Sequence, residues 1–147
     1  MSSENVKNKI LWIKATINGI LAWIIGFIIY MIPGMIVATK MGFELGSKSS
    51  DSAAVSEHIG QTISTMYQNN YWLIIGFIVV TALLIFWRAI SVSKSTGDKS
   101  LINGLLVSVF PVLFIVLIIF SKGFHFTSII EIFVFIGVGY IGGYLNK

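Results

Sequence analysis

Four long stretches of the chain are almost entirely apolar, and short polar segments separate them. They cover residues 15–39, 71–90, 100–121 and 128–145. A helix needs about 20 apolar residues to cross the hydrocarbon core of a bilayer, and each stretch reaches or comes close to that length. The pattern therefore predicts an all-α polytopic membrane protein, with four transmembrane helices in a single domain over residues 1–147.

The connection between the first and second stretches has a different pattern. Residues 46–52 read GSKSSDS, which is typical of a flexible turn. In residues 53–67 the apolar side chains recur at helical spacing among Ser, Thr, Gln, Glu and His; they are Val55, Ile59, Ile63, Met66 and Tyr67. This pattern predicts an outer amphipathic helix that covers the outer ends of the spanning helices, either on the membrane surface or capping the bundle. A helix that docks a partner is the alternative.

Composition supports the membrane assignment and excludes several function classes. The chain is 56% hydrophobic and only 11% charged, whereas soluble domains carry roughly 25% charged residues. It contains no cysteine, which excludes disulfides, thiolate metal sites and thiol catalysis. The net charge of +4 comes from basic residues placed singly or in small groups at the ends of apolar runs. That distribution argues against nucleic acid and makes the lipid bilayer the first expected partner.

The basic residues also predict an orientation, because cytoplasmic connections are enriched in Lys and Arg. Seven of the ten fall on one side of the four-span arrangement: Lys7, Lys9, Lys14, Arg88, Lys94, Lys99 and Lys147. The other side has Lys40, Lys48 and Lys122. We expect a multi-pass protein of the cell membrane with both termini in the cytoplasm. Trp12 and Trp87 would then lie at the inner interface, where amphipathic rings are favoured.

A short motif occurs twice, each time where an apolar run begins. Residues 14–21 read KATINGIL and residues 99–106 read KSLINGLL, with five identical positions. Both copies would enter the membrane from the same side, so they are either a parallel duplication or a chance match. In each copy the Lys reaches the headgroups, the Asn lies one turn deeper, and the adjacent Gly lets another backbone approach. The motif therefore predicts a helix-contact device that is used twice.

Small residues extend that device along two helices. The first helix has a stripe of them at spacings of four, three and four, and the fourth has a GxxxG pair. The predicted helix-contact residues are Ala15, Asn18, Gly19, Ala22, Gly26, Asn103, Gly104, Gly139 and Gly143. Pro33 predicts a kink in the first helix. Trp23, well inside that helix, is interpreted as a packing residue.

Few residues are candidates for chemistry. Glu131 is the one acidic residue in a predicted span, but Ser128 and Glu131 have the spacing of a capping box at the start of the fourth helix. His58 and His125 lack the further ligands of a metal site. Arg88, next to Trp87, is interpreted as an interfacial anchor. We expect no catalytic residue, metal or cofactor.

The sequence favours a small non-catalytic integral membrane protein that acts through helix–helix assembly. It would work as a homo-oligomer or as a subunit of a larger membrane complex. The alternative is a small transporter or channel whose sparse polar path is formed by Thr16, Asn18, Tyr30 and Asn103. A membrane enzyme has the least support, because too few polar groups converge at one depth.

Overall fold

A computed structural model of the chain describes residues 11–47, 51–94, 96, 99–123 and 126–146. Its secondary structure over these residues is helical throughout. The helices are α1 (Trp12–Gly46), α2 (Ser52–Asn69), α3 (Tyr71–Ser93), α4 (Ser100–Lys122) and α5 (Phe126–Tyr144).

Four of the five helices are long and apolar enough to cross a membrane. They are α1, α3, the Ser100–Ser121 part of α4, and α5. This confirms the predicted all-α fold with four spanning helices, and it makes the chain a multi-pass membrane protein. The cell membrane as its location and the cytoplasmic termini stay predictions. The amphipathic helix predicted over 53–67 is also confirmed, as α2.

Helix α1 is longer than its apolar run predicts. It continues through Lys40 and Glu44 to Gly46, a total of 35 residues. At 1.5 Å per residue this is about 52 Å, compared with about 30 Å for the hydrocarbon core. The run MGFEL after Lys40 contains no proline, so helical backbone continues after the lipid-compatible stretch has ended.

Backbone contacts divide the chain into two compact units. The first takes in the described residues as far as Gly26 and those from Ile78 onward; the second is Phe27–Phe77. The core of the first unit combines small side chains with a few large ones. Its buried apolar residues are Ala15, Ala22, Ala82, Ile85, Ala89, Val92, Leu106, Val107, Ile115 and Phe135. Four of the ten are alanines. Small residues are favoured between membrane helices because lipid tails are as apolar as leucine, so close packing replaces the hydrophobic effect as the force between helices.

The connection from α3 to α4 in the first unit is closed by hydrogen bonds from side chains. Ser93 Oγ donates to the carbonyl of Ser100 at 2.8 Å, and Thr96 Oγ1 donates to the carbonyl of Ser93 at 2.9 Å. All three residues are buried. The Ser93 carbonyl belongs to the last turn of α3, where helical carbonyls lack an N–H partner, and Thr96 donates to it. The Ser93 hydroxyl joins the end of α3 to the first residue of α4.

In the second unit α2 packs along α1. Asp51 begins α2 as its N-cap, and its carboxylate accepts from the backbone N–H groups of Ala53 and Ala54 at 3.1 and 3.2 Å. Towards the other end of α2, Ile63 and Tyr67 lie against Gly34 of α1. The half-buried positions of α2 include the five apolar residues whose spacing predicted the helix.

Two local predictions need correction or restriction. Helix α5 begins at Phe126, so Ser128 is its third residue, and no acidic residue lies in the first turn. The predicted capping box of Ser128 and Glu131 is therefore wrong, because both residues lie inside the helix. In the predicted turn over 46–52, Gly46 ends α1 and Ser52 begins α2, while residues 48–50 lie outside the described residues.

Candidate functional site

The first copy of the repeated motif brings α1 against α4. A Cβ atom built on Gly19 would collide with the backbone carbonyl of Val107 and would lie 3.6 Å from Cδ of Pro111. Any side chain at this position would therefore have to push two helix backbones apart. Glycine is required here by the close approach of the backbones.

The second copy brings α4 against α5. A Cβ atom on Gly104 would lie 2.6 Å from the Gly139 carbonyl oxygen and 2.6 Å from the Gly143 nitrogen. In turn, a Cβ atom on Gly143 would lie 2.8 Å from Cα of Leu101. The GxxxG pair of α5, Gly139 and Gly143, therefore lies directly on the backbone of α4, within the second copy of the motif.

The remaining small residues of α1 have other neighbours. Ala15 and Ala22 are fully buried, and Gly26 lies against the side chain of Thr81 on α3. One face of α1 thus contacts α4 at Gly19 and α3 at Gly26. Gly142 of α5, which lies beside the GxxxG pair, packs on Ala89 of α3. All of these contacts are formed within one chain.

The two asparagines of the repeat have different environments. Asn103 is fully buried, and its Oδ1 accepts from the backbone N–H of Leu11 at 2.7 Å. Leu11 immediately precedes α1, and its carbonyl accepts the first helical hydrogen bond, from Ala15. Asn103 of α4 therefore satisfies one of the N–H groups that the start of α1 leaves without a helical partner.

Asn18 is only half-buried and bonds to a charged group. Its Nδ2 donates to the Lys14 carbonyl at 2.8 Å, and its Oδ1 accepts from Nη1 of Arg88 at 3.2 Å. The guanidinium carbon of Arg88 also lies 5.9 Å from the centre of the Trp87 ring, within cation–π distance. Sequence reasoning placed Arg88 at the interface but missed its pairing with Asn18, which no spacing along the chain reveals.

Tyr30 belongs to a third polar arrangement, in the second unit. Its backbone carbonyl accepts from the hydroxyl of Tyr67 at 2.8 Å, and the same hydroxyl accepts from the Gly34 N–H at 3.2 Å. Tyr30 and Gly34 are four residues apart, the spacing of a normal helical hydrogen bond, and Pro33 lies between them. The hydroxyl of α2 is therefore inserted into the backbone ladder of α1 next to its proline, a recognised cause of helix bending.

The other residues considered for function lie as follows. Thr16 is exposed, and the Trp23 ring packs against Phe110 and Phe114 with centroid distances of 6.4 and 4.0 Å, in line with its predicted packing role. His58 is exposed on α2, while His125 lies outside the described residues. Within the described part of the chain, no three His, Cys, Asp or Glu residues are grouped as metal ligands would be.

Comparison with known proteins found no matching family model, no similar curated protein and no similar solved structure. Function therefore has to be inferred from the residues and their geometry.

Proposed function

We propose that this protein is a non-catalytic membrane protein that acts by assembly, and that its assembly partner is a second copy of the same chain. The interface is an apolar stripe on the outer part of α1. Its members are Ile28, Ile32, Met35, Ile36, Thr39 and Phe43, and we call this set the α1 stripe.

Exposure of the α1 stripe is the observation that carries the proposal. All of its residues are exposed, with Ile36 at 63% and Phe43 at 78%. At 100° per residue they fall within one third of the helix circumference. The apolar run of α1 ends at Thr39, and Lys40 follows it. Phe43 therefore lies beyond the predicted span, and its exposed ring continues the stripe into a region where an apolar surface indicates a protein contact.

The small-residue faces supply a second argument, because their contacts are internal. Gly19, Gly26 and Gly104 each lie against another helix of the same chain. These glycines cannot also admit a helix of a different molecule at the same points. Assembly must therefore use another surface, and the α1 stripe is available.

A second copy fits this surface for two reasons. Copies inserted in the same direction present the stripe at the same height, so two of them can pair in parallel around an axis normal to the membrane. In addition, Ile28, Ile32, Met35 and Thr39 follow each other at spacings of four, three and four. This alternation is the spacing of the seam in a parallel coiled coil.

Cysteine cross-linking tests the proposal directly, because the natural chain contains no cysteine. Thr39→Cys lies on the stripe, and Glu44→Cys lies well away from it on an exposed part of the same helix. In membranes, mild oxidation should produce a disulfide-linked dimer from Thr39→Cys and almost none from Glu44→Cys. Equal cross-linking of the two variants would contradict the proposed interface.

Molar mass in mild detergent gives a second test with a matched pair. Phe43→Ser should convert a dimer to a monomer, whereas Phe120→Ser, which changes an equally exposed phenylalanine on α4, should leave the dimer intact. A wild-type protein that is monomeric, or that occurs only in complex with a different protein, would overturn the choice of a second copy as partner.

A further inference from the structure

Arg88 belongs to a spanning helix, and no described residue supplies a negative charge that compensates its guanidinium. Arg88 is half-buried in α3, and the structure records no ion pair for it among the described residues. Its polar contacts there are the hydrogen bond from Nη1 to Asn18 and the Trp87 ring. Its Nε is enclosed and has no hydrogen-bond partner.

A neutral amide is a weak partner for such a cation. Ionisable groups within spanning segments normally pair with an opposite charge or reach the headgroups, because an unpaired charge in a low-dielectric region is costly. Within the described spanning helices the acidic residues are Glu44 and Glu131. Glu44 lies near the far end of α1 from Asn18. Glu131 lies near the start of α5, whereas Asn146, just past the end of α5, donates to the carbonyl of Ile90 near Arg88. None of the described residues therefore supplies a counter-charge to Arg88, and a group from outside the chain can provide one.

Neighbouring residues indicate what supplies that charge. Arg88 lies five residues, about 8 Å, from the end of α3 at Ser93. Trp87 and Trp12 are both strongly exposed, as is typical of rings at the headgroup level. Lys14 is exposed one turn before Asn18 on the same face of α1. Two cationic residues and an amide are thus grouped near two exposed tryptophans, at the position where headgroup phosphates are expected.

We propose that Arg88, Asn18 and Lys14 form a binding site for a phosphate group, supplied by the headgroup of an anionic phospholipid. Asn18 holds the guanidinium in place through Nη1, and the other N–H groups at the η nitrogens of Arg88 bind the phosphate together with the Lys14 ammonium. Arginine suits this role because its planar group donates two parallel hydrogen bonds to phosphate oxygens. The site is independent of the α1 stripe and of assembly.

Two variants change the charge of the site in different ways. Arg88→Gln removes the cation. Asn18→Asp places a carboxylate where Oδ1 already accepts from Arg88, so the cation is compensated inside the chain while the contact is kept. Lys94→Gln is the matched control, because it removes an exposed lysine just beyond the same end of α3.

Lipid binding is measured by native mass spectrometry and by thermal unfolding in nanodiscs of phosphatidylglycerol or phosphatidylcholine. The wild type should retain phosphatidylglycerol in preference to phosphatidylcholine by at least about five-fold, the contribution typical of one basic residue at an anionic surface. Arg88→Gln and Asn18→Asp should both lose that preference, and Lys94→Gln should keep most of it. If Arg88→Gln fails to fold, the comparison of Asn18→Asp with Lys94→Gln still decides the outcome.

Inorganic phosphate distinguishes the source of the group. At millimolar concentration in phosphatidylcholine nanodiscs it should leave the unfolding temperature unchanged, and a stabilisation equal to that by phosphatidylglycerol would assign the site to free phosphate instead. A wild type without preference for the anionic lipid, or an Asn18→Asp variant with an undiminished preference, would overturn the proposal.

Discussion

The two copies of the ING motif have the same letters and are used differently. In α4 the asparagine is buried and completes the start of α1, while its glycine lies on the GxxxG pair of α5. In α1 the asparagine is half-buried and bonds to Arg88, while its glycine lies on the backbone of α4.

The glycines of the two copies serve the same purpose, since each lets the backbone of a neighbouring helix come into close contact. The asparagines differ because each bonds to whatever polar group the neighbouring helix presents. A glycine in a spanning helix therefore predicts a close contact more reliably than an asparagine predicts its partner.

The largest effect is expected from filling the space at the two glycines. Gly104→Leu and Gly19→Leu each place a side chain against backbone atoms that cannot move independently, so each should lower the free energy of unfolding by about 3 kcal/mol or more. Gly137→Leu is the control, since a Cβ atom there meets nothing within 4 Å. Unfolding in mixed detergent micelles with increasing SDS measures all three. A Gly104→Leu variant as stable as Gly137→Leu would show that the α4–α5 contact is not as close as described.

A smaller loss is expected at the buried asparagine. Asn103→Leu leaves the half-buried Leu11 N–H without its acceptor, which should cost about 1–3 kcal/mol. Amide hydrogen exchange should also become faster at Leu11, while exchange in the middle of α3 stays slow. Unchanged exchange at Leu11 would indicate that another group, such as water, accepts this hydrogen bond.

The hydroxyl of Tyr67 makes a polar contact between helices that has no counterpart in either copy of the motif. Tyr67→Phe removes the group that bridges the Tyr30 carbonyl and the Gly34 N–H. Because these two backbone groups can then bond to each other, the cost should be only about 1 kcal/mol. Exchange of the Gly34 amide is the specific measurement, and Tyr71→Phe, which changes an exposed tyrosine, is the control. Equal effects of the two variants would argue against the inserted hydroxyl.

The smallest effect is expected at the half-buried asparagine. Asn18→Leu should cost about 0.6 kcal/mol, the average for a hydrogen bond between membrane helices, because Arg88 can still reach the headgroups. The expected loss in the free energy of unfolding is therefore largest for Gly19→Leu, smaller for Asn103→Leu and smallest for Asn18→Leu. The transporter alternative predicts something else: loss of transport in Asn18→Leu and Asn103→Leu with the fold retained.

Much of the fold could be predicted because a bilayer restricts what an apolar run can do. Four such runs had to become helices, since only helices and closed barrels satisfy the backbone in lipid. The limits of α1 were harder to predict, because Met41 to Leu45 lie beyond the apolar run, and their own sequence is compatible with a helix or a loop. The predicted start of α5 was wrong because Ser128 and Glu131 match only the sequence pattern of a capping box. The two residues before them, Phe126 and Thr127, are also helical.

The class of protein, the number of spanning helices and the positions where backbones can approach follow from the amino-acid sequence alone, because hydrophobicity, length and side-chain size are local properties. Tertiary packing fixes which helix fills each gap and which polar groups meet. Asn18 and Arg88 are 70 residues apart in the sequence, Leu11 and Asn103 are 92 apart, and Tyr30 and Tyr67 are 37 apart. No local property of any of these six residues encodes its partner. The partner follows from the helix that packs against it, and in a membrane that choice depends on the fit of small residues along whole helix faces.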